Sequence, residues 1–208
     1  MLGVGLGVSA GLVFDGNRYQ DPLGLDAPLV NQSCTANDSV LVLVSTDAPD
    51  RLSAELATHD DARYLQTAQS CDTAWREAGR PAQAYVAYLG PASTRAACEM
   101  QMTGNYRGAH VTELTASTTD TVQCLCHVPR QGMPTLMTGM EVTDREIVYI
   151  HALQHMLTTL GRRPDEPTTN SYDPRTVSQV KRFQQFAGRA ATGAVDQDTW
   201  QALQRGCD

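Results

Sequence analysis

The sequence predicts an α+β protein with two folded regions, a small β-sheet with two helices and then a unit of three helices. Short runs rich in β-branched residues alternate with helical stripes over residues 39–116. Three amphipathic stretches, each preceded by a capping residue, follow over residues 141–208. A connection, residues 117–140, separates the two regions and is longer than most loops in compact domains.

The first region has six predicted elements. Strands are expected over residues 40–44, 62–69, 83–89 and 109–114, and helices over residues 49–58 and 93–102. Gly90-Pro91 is expected to end the third strand. The order strand–helix–strand–strand–helix–strand is that of the ferredoxin-like fold, in which both helices lie on one face of the sheet.

Both faces of this sheet are predicted to be apolar. Strict alternation puts Val42, Val44, Tyr85, Ala87 and Leu89 on one face, and Leu41, Leu43, Val86 and Tyr88 on the other. We therefore expect the outer face to be covered by another segment or by a partner protein. The 117–140 connection is a candidate for that cover.

The first region resembles SPOR domains. The resemblance rests on Tyr85-Val86-Ala87-Tyr88-Leu89-Gly90-Pro91, on Ser93-Thr94-Arg95-Ala96-Ala97-Cys98 and on Ala109-His110-Val111, with Val42 to Thr46 and the following helix as the first half. SPOR domains bind the glycan strands of peptidoglycan on the open face of the sheet. The resemblance thus implies a ferredoxin-like fold and a glycan site, although Leu43 stands where the family usually has a polar residue.

The second region carries the signals of three helices. Thr143-Asp144-Arg145-Glu146 is a capping box, and Asp173-Pro174 and Asp196 are caps for the next two helices. Gly161 and Gly188 are expected to end the first two helices. The side chains expected in the core are Ile147, Ile150, Leu153, Leu157, Leu160, Val177, Val180, Phe183, Trp200 and Leu203.

These residues resemble the peptidoglycan-binding domain found beside many cell-wall hydrolases. The shared motifs are Leu153-Gln154, Leu160-Gly161, Tyr172-Asp173-Pro174-Arg175-Thr176, Val180-Lys181-Arg182-Phe183-Gln184 and the run from Thr192 to Leu203. The resemblance implies a three-helix domain that binds cell-wall glycan. The ligand would be peptidoglycan or another wall polymer, such as the arabinogalactan of mycolic-acid actinobacteria.

Six polar residues of the second region are candidates for contact with such a ligand. Planar amides, hydroxyls and guanidinium groups suit sugar hydroxyls, lactyl amides and peptide carboxylates. The candidates are Gln154, Arg162, Tyr172, Arg175, Gln184 and Gln185. We expect them to face one groove, bordered by the loop from Arg162 to Ser171.

Six cysteines are distributed along the chain: Cys34, Cys71, Cys98, Cys124, Cys126 and Cys207. The absence of Cys-x-x-Cys pairs favours three disulfides over a metal site. We expect Cys34 to pair with Cys71, and Cys98 and Cys207 each to pair with one of Cys124 and Cys126. Disulfides indicate an oxidising compartment outside the cytoplasm.

The chain starts with an uncharged apolar segment, residues 1–14, which is shorter than the roughly 20 residues that span a bilayer. One interpretation, which we favour, is the outer part of a transmembrane helix that starts upstream. Gly3, Gly7 and Gly11 would then form a stripe for a neighbouring helix. The other interpretation is a short signal-peptide core or a buried strand. Residues 15–38 are predicted to be a linker away from the membrane.

Composition and motifs exclude several classes of function. With 16 Lys and Arg against 23 Asp and Glu, the net charge of −7 argues against nucleic-acid binding. His151 and His155 have a zinc-protease spacing, but Ala152 stands where that motif has its glutamate base, so no metal or cofactor is expected. We expect a non-enzymatic, membrane-anchored cell-envelope protein that binds wall glycan. The alternative is an accessory subunit of a membrane complex, which uses the glycine-striped helix and the apolar sheet face to contact other proteins.

Overall fold

The structure is a computed structural model that describes residues 21–35, 37–71, 85–104, 106, 108–115, 122–161 and 168–207. The first region contains β1 (Asp38–Thr46), α1 (Pro49–Leu56), β2 (Arg63–Gln66), β3 (Tyr85–Ser93), α2 (Thr94–Thr103) and β4 (His110–Glu113). The second region contains α3 (Asp144–Thr159), α4 (Pro174–Phe186) and α5 (Gln197–Gln204). The predicted combination of a four-stranded sheet and five helices is confirmed.

The sheet has the strand order β2-β3-β1-β4, and all neighbouring strands are antiparallel. Helix α1 connects β1 to β2 across β3, and α2 connects β3 to β4 across β1. This is the split β-α-β arrangement that the order of elements predicts. Leu52 of α1 and Met102 of α2 belong to one core cluster with Leu41 and Leu89 of the sheet, so both helices cover the same face.

Some residues of the sheet lie on the opposite face from the one that strict alternation predicts. Leu41 pairs with Leu89 under the helices, and Val42 pairs with Tyr88 on the outer face. The prediction that grouped Leu41 with Tyr88 is therefore wrong. Both strands are apolar on both faces, so hydrophobicity cannot set their register. A β-bulge between Val42 and Val44 also shifts the alternation by one residue.

Strand β3 continues to Ser93 and does not end at Gly90-Pro91 as predicted. Its pairing with β1 shifts by one residue at this point, which makes a β-bulge. A bulge is one of the few positions where a strand accepts proline. Gly90 has a φ of 113°, and a Cβ there would lie 3.3 Å from the carbonyl oxygen of Ser39, so the bulge requires glycine.

The outer face of the sheet is apolar, as predicted, and it is buried within the chain. Its cluster consists of Val40, Val42, Leu65, Cys71, Val86, Tyr88 and Leu114, none more than 7% exposed. Part of the cover comes from the segment before β1. The Tyr88 hydroxyl donates to the Val30 carbonyl at 2.7 Å, and the Gln32 amide donates to the Tyr88 hydroxyl at 2.6 Å. These seven side chains therefore offer a partner protein no exposed apolar patch.

Residues 21–35 pack on the sheet, although they belong to the predicted 15–38 linker. Leu29 forms a parallel bridge with Tyr64 of β2. The Tyr64 hydroxyl donates to the Asp21 carboxylate at 2.9 Å, and burial together with this carboxylate raises the pKa of Tyr64 to about 12. The described part of the segment is therefore an edge of the folded sheet region.

The connection is bonded to each of the two regions by a disulfide. Cys124 is bonded to Cys98 of α2, and Cys126 is bonded to Cys207, which follows α5. With the bond between Cys34 and Cys71, the pairing predicted from the sequence is confirmed. We expected the connection to cover the outer sheet face, but its described part, residues 122–140, packs in the core cluster shared by the helical side of the sheet and the helical region.

No helix within the described ranges is long and apolar enough to cross a membrane. The predicted membrane segment, residues 1–14, lies outside those ranges.

Candidate functional site

The helical region and the connection share a core centred on one tryptophan. Trp200 of α5 is fully buried, in the same cluster as Leu153 of α3 and Phe183 of α4. Its ring centre lies 6.1 Å from that of Tyr149. Its indole N–H donates to the Pro134 carbonyl at 2.8 Å, which places the connection against α5.

Gln154 of α3 stabilises the turn that leads into α4. Its amide nitrogen donates to the Thr169 hydroxyl at 2.9 Å and to the Thr176 hydroxyl at 3.0 Å. Its carbonyl oxygen accepts from the Thr169 N–H at 2.7 Å. Asp173 caps α4 by accepting from the Thr176 N–H, also at 2.7 Å. The side chain therefore satisfies polar groups of the turn from inside the domain.

Gln184 of α4 stabilises the turn into α5 with matching contacts. Its amide nitrogen donates to the hydroxyls of Thr192 and Thr199, both at 3.1 Å. Its carbonyl oxygen accepts from the Gly193 N–H at 2.8 Å. Asp196 caps α5 by accepting from the Thr199 N–H at 2.8 Å.

The two turns are a structural repeat. Residues 169–176 and 192–199 share the pattern Thr-x-x-x-Asp-x-x-Thr, and a buried glutamine of the preceding helix bonds to both threonines of each. Gln154 and Gln184 were expected to face a groove, but they are 0% and 2% exposed. Buried amides need partners, and here the chain itself supplies them.

Tyr172 joins the first turn to the second. Its side chain is buried, and its hydroxyl donates to the Gly193 carbonyl at 2.6 Å. Burial raises the pKa of this hydroxyl far above its ordinary value, so it stays protonated. Gly193 has a φ of 77°, and a Cβ there would lie 2.8 Å from the Val177 side chain. Tyr172 was also expected to face the groove, but its hydroxyl is bonded to the backbone of the same domain.

Of the other three predicted site residues, the structure describes two. Arg175 and Gln185 are exposed on α4. They are ten residues apart, which is about 15 Å along a helix axis. Arg162 lies outside the described residues. The role of these residues in ligand binding stays a prediction.

The two histidines of α3 have separate partners. His151 Nε2 lies 2.8 Å from the Asn170 side-chain oxygen, and burial lowers the pKa of the ring. The His155 ring contacts the Gln123 amide of the connection. Within the part of the chain that the structure describes, no group of three or more potential ligands could hold a metal ion.

A cleft that the sequence interpretation did not predict lies between the connection and α5. Its volume is about 560 Å³. Gln197, Gln201 and Gln204 line it from α5. Their spacing of four and then three residues places them on one helix face. This polar stripe was visible in the sequence, but the facing wall comes from residues 126–131, which no local pattern associates with α5.

Two of these glutamines fix the facing wall. The Gln204 amide donates to the carbonyls of Leu125 and Val128 at 2.7 and 3.0 Å. The Gln197 amide donates to the Met133 carbonyl at 3.0 Å. Together with the disulfide that follows α5, these bonds preform the cleft.

Three other polar side chains of the cleft remain available. Arg130, Gln131 and Gln201 line it and make no side-chain hydrogen bond or ion pair within the described ranges. Asp198 also lines it, but its carboxylate lies 3.5 Å from the Arg189 guanidinium. The cleft therefore presents one unpaired cation and two amides.

Comparison with protein families finds a match in the helical region. Residues 149–203, about a quarter of the chain, match the family model described as "Putative peptidoglycan binding domain". No curated protein and no solved structure matches the chain. The resemblance of the sheet region to SPOR domains stays a prediction. The C-terminal helical region is thus similar to the peptidoglycan-binding domains that its motifs resemble.

Proposed function

We propose that this protein is a non-catalytic protein of the cell envelope that binds peptidoglycan through its C-terminal helical region. The observation that carries the proposal is the family match over residues 149–203, which coincides with the described three-helix core. A wall-bound polysaccharide such as arabinogalactan is the second ligand that the proposal includes.

Export to the cell surface is supported by the three disulfides. They pair all six cysteines of the chain. Such bonds persist in oxidising compartments and are rare in the reducing cytoplasm. Attachment through residues 1–14 to the membrane remains part of the proposal, as does contact with a membrane-protein partner.

Binding without cleavage is supported by the environment of the two histidines. The His151 ring is paired with Asn170, and the His155 ring with Gln123. Ala152 occupies the position of the glutamate base in the zinc-protease motif. The chemistry offered by the cleft, amides and a guanidinium, is that of recognition.

The test is co-sedimentation of the oxidised full-length chain with purified cell walls, before and after secondary polymers are stripped. Retention by both preparations is expected if the ligand is peptidoglycan, and loss of retention on stripping identifies the attached polysaccharide. An insoluble glucan serves as the control for non-specific adsorption. Retention by neither wall preparation would overturn the proposal, and release of soluble wall fragments by the pure protein would overturn its non-catalytic part.

A further inference from the structure

We propose that the cleft between α5 and the connection binds the carboxylate-bearing peptide of peptidoglycan rather than its sugars. This inference rests on the proposed function and adds to it a site, a ligand class and a set of residues. The facing wall, residues 126–131, lies outside the family match over residues 149–203, whereas Gln197 and Gln201 lie inside it.

The cleft is preformed. Its far wall is fixed by a disulfide and by three hydrogen bonds from glutamine amides to backbone carbonyls. A site whose backbone is already ordered loses less conformational entropy when a ligand enters. A volume of about 560 Å³ is within the range of small-ligand sites.

Arg130 indicates a carboxylate. Its side chain lines the cleft and has no partner among the described residues. A guanidinium forms two parallel, charge-assisted hydrogen bonds with a carboxylate, which neutral sugars cannot offer. Asp198 already faces Arg189, so Arg130 supplies the cleft's unpaired charge.

The glutamine stripe indicates a peptide backbone beside that carboxylate. Residues four apart on a helix have Cβ atoms about 5–6 Å apart. Alternate residues of an extended peptide are about 6.6 Å apart, so successive amides of the stripe can meet alternate peptide groups. Gln201 offers both donors and an acceptor. Gln204 uses its two donors on the connection and offers its carbonyl oxygen, whereas Gln197 uses one donor there and offers the other together with its carbonyl oxygen.

The test is binding of three soluble probes to the oxidised full-length chain. The probes are a muropeptide with free carboxylates, the same muropeptide with its carboxylates amidated, and glycan chains freed of peptide. We expect the first probe to bind at least tenfold more tightly than the other two. Arg130→Ala should remove that preference, with roughly a tenfold weaker Kd for the free acid and an unchanged Kd for the amidated probe.

Two further variants sharpen the test. Gln201→Ala should weaken both peptide probes, because an amide recognises the peptide whatever its charge. Arg182→Ala removes an exposed arginine of α4 outside the cleft and should change nothing. Circular dichroism checks that each variant is folded.

The outcomes separate this inference from the proposed function. If the unaltered chain binds walls and Arg130→Ala binds the free-acid muropeptide equally well, the cleft is not the peptide site. Preference for peptide-free glycan chains would overturn the ligand class. If the unaltered chain binds no wall preparation and no probe, the proposed function itself fails.

Discussion

The turn before α4 and the turn before α5 have the same sequence pattern and similar glutamine-centred hydrogen bonds. Among the residues that the structure describes, only the second turn is attached to the connection. Val195 of the second turn pairs through its backbone with Leu136, and the next helix places Trp200 against Pro134. At the position that matches Val195, the first turn has Tyr172, which bonds to the second turn. The comparison shows that one local structure, used twice, forms a cleft only where a distant segment attaches to it.

Breaking the attachment should have the largest effect. Replacing Cys126 and Cys207 together by Ser opens a loop with a sequence separation of 81 residues, for which chain entropy gives about 4.5 kcal/mol of unfolding free energy. Urea unfolding of the oxidised proteins measures it. The control is replacement of Cys98 and Cys124, whose separation of 26 residues predicts a smaller loss. A larger loss in the control would contradict this account.

Removing the glutamines tests whether the two turns are equivalent. Gln154→Ala leaves the buried Thr176 hydroxyl and the Thr169 N–H without this partner, and Gln184→Ala leaves the buried Thr199 hydroxyl and the Gly193 N–H without it. Each substitution is expected to cost about 2–3 kcal/mol of unfolding free energy. Thermal and urea unfolding of the two variants side by side measure the difference. A difference above about 1 kcal/mol would show that the resemblance of the turns is only geometric.

Two aromatic substitutions test separately the bond that attaches α5 to the connection and the bond that joins the two turns. Trp200→Phe removes the indole donor to Pro134, and Tyr172→Phe removes the hydroxyl donor to Gly193. We expect losses of about 2 and about 1 kcal/mol, the first being larger because it also leaves a gap in the core. Muropeptide affinity is the second readout, and only Trp200→Phe should weaken it. Equal affinity losses would mean that the connection does not shape the ligand site.

The smallest effect concerns acid sensitivity at the second turn. Hydrogen bonds from Thr199 lower the pKa of Asp196 in the folded state. A lowered folded pKa gives stability that is present above the unfolded value, near pH 4, and lost as pH falls through the folded value. Asp196→Asn keeps a good cap and should change stability at pH 7 by less than about 0.5 kcal/mol. Below about pH 4, the urea midpoint of unfolding should fall less steeply with decreasing pH for Asp196→Asn than for the unaltered protein. The same pH dependence in both proteins would contradict the role of this carboxylate.

The sequence predicted the helices and strands better than it predicted how they pair and pack. Cap residues and apolar stripes located α3, α4 and α5, because these signals lie within one or two helical turns. The order of strands and helices predicted the split topology. The register of β1 on β3 could not be predicted, because both strands are apolar on both faces and carry bulges.

The candidate site could be predicted only in part. Gln154 and Gln184 were recognised as notable, but the same amide serves a ligand or a buried turn, and only burial separates the two roles. Arg130 and Gln201 were not recognised, because their proximity depends on a disulfide and on a contact between distant segments. Sequence patterns within one helix cannot contain that information.

The most direct measurement is a titration of the isotope-labelled, oxidised full-length chain with soluble peptidoglycan fragments, followed by NMR. We expect saturable shifts of backbone and side-chain amides in residues 126–131 and 149–203, with the amide of Gln201 among the largest. It predicts no comparable shifts in the strands of the sheet region. An unchanged spectrum at high fragment concentration, or shifts confined to residues 38–113, would contradict the claim that the helical region is the part that binds the cell wall.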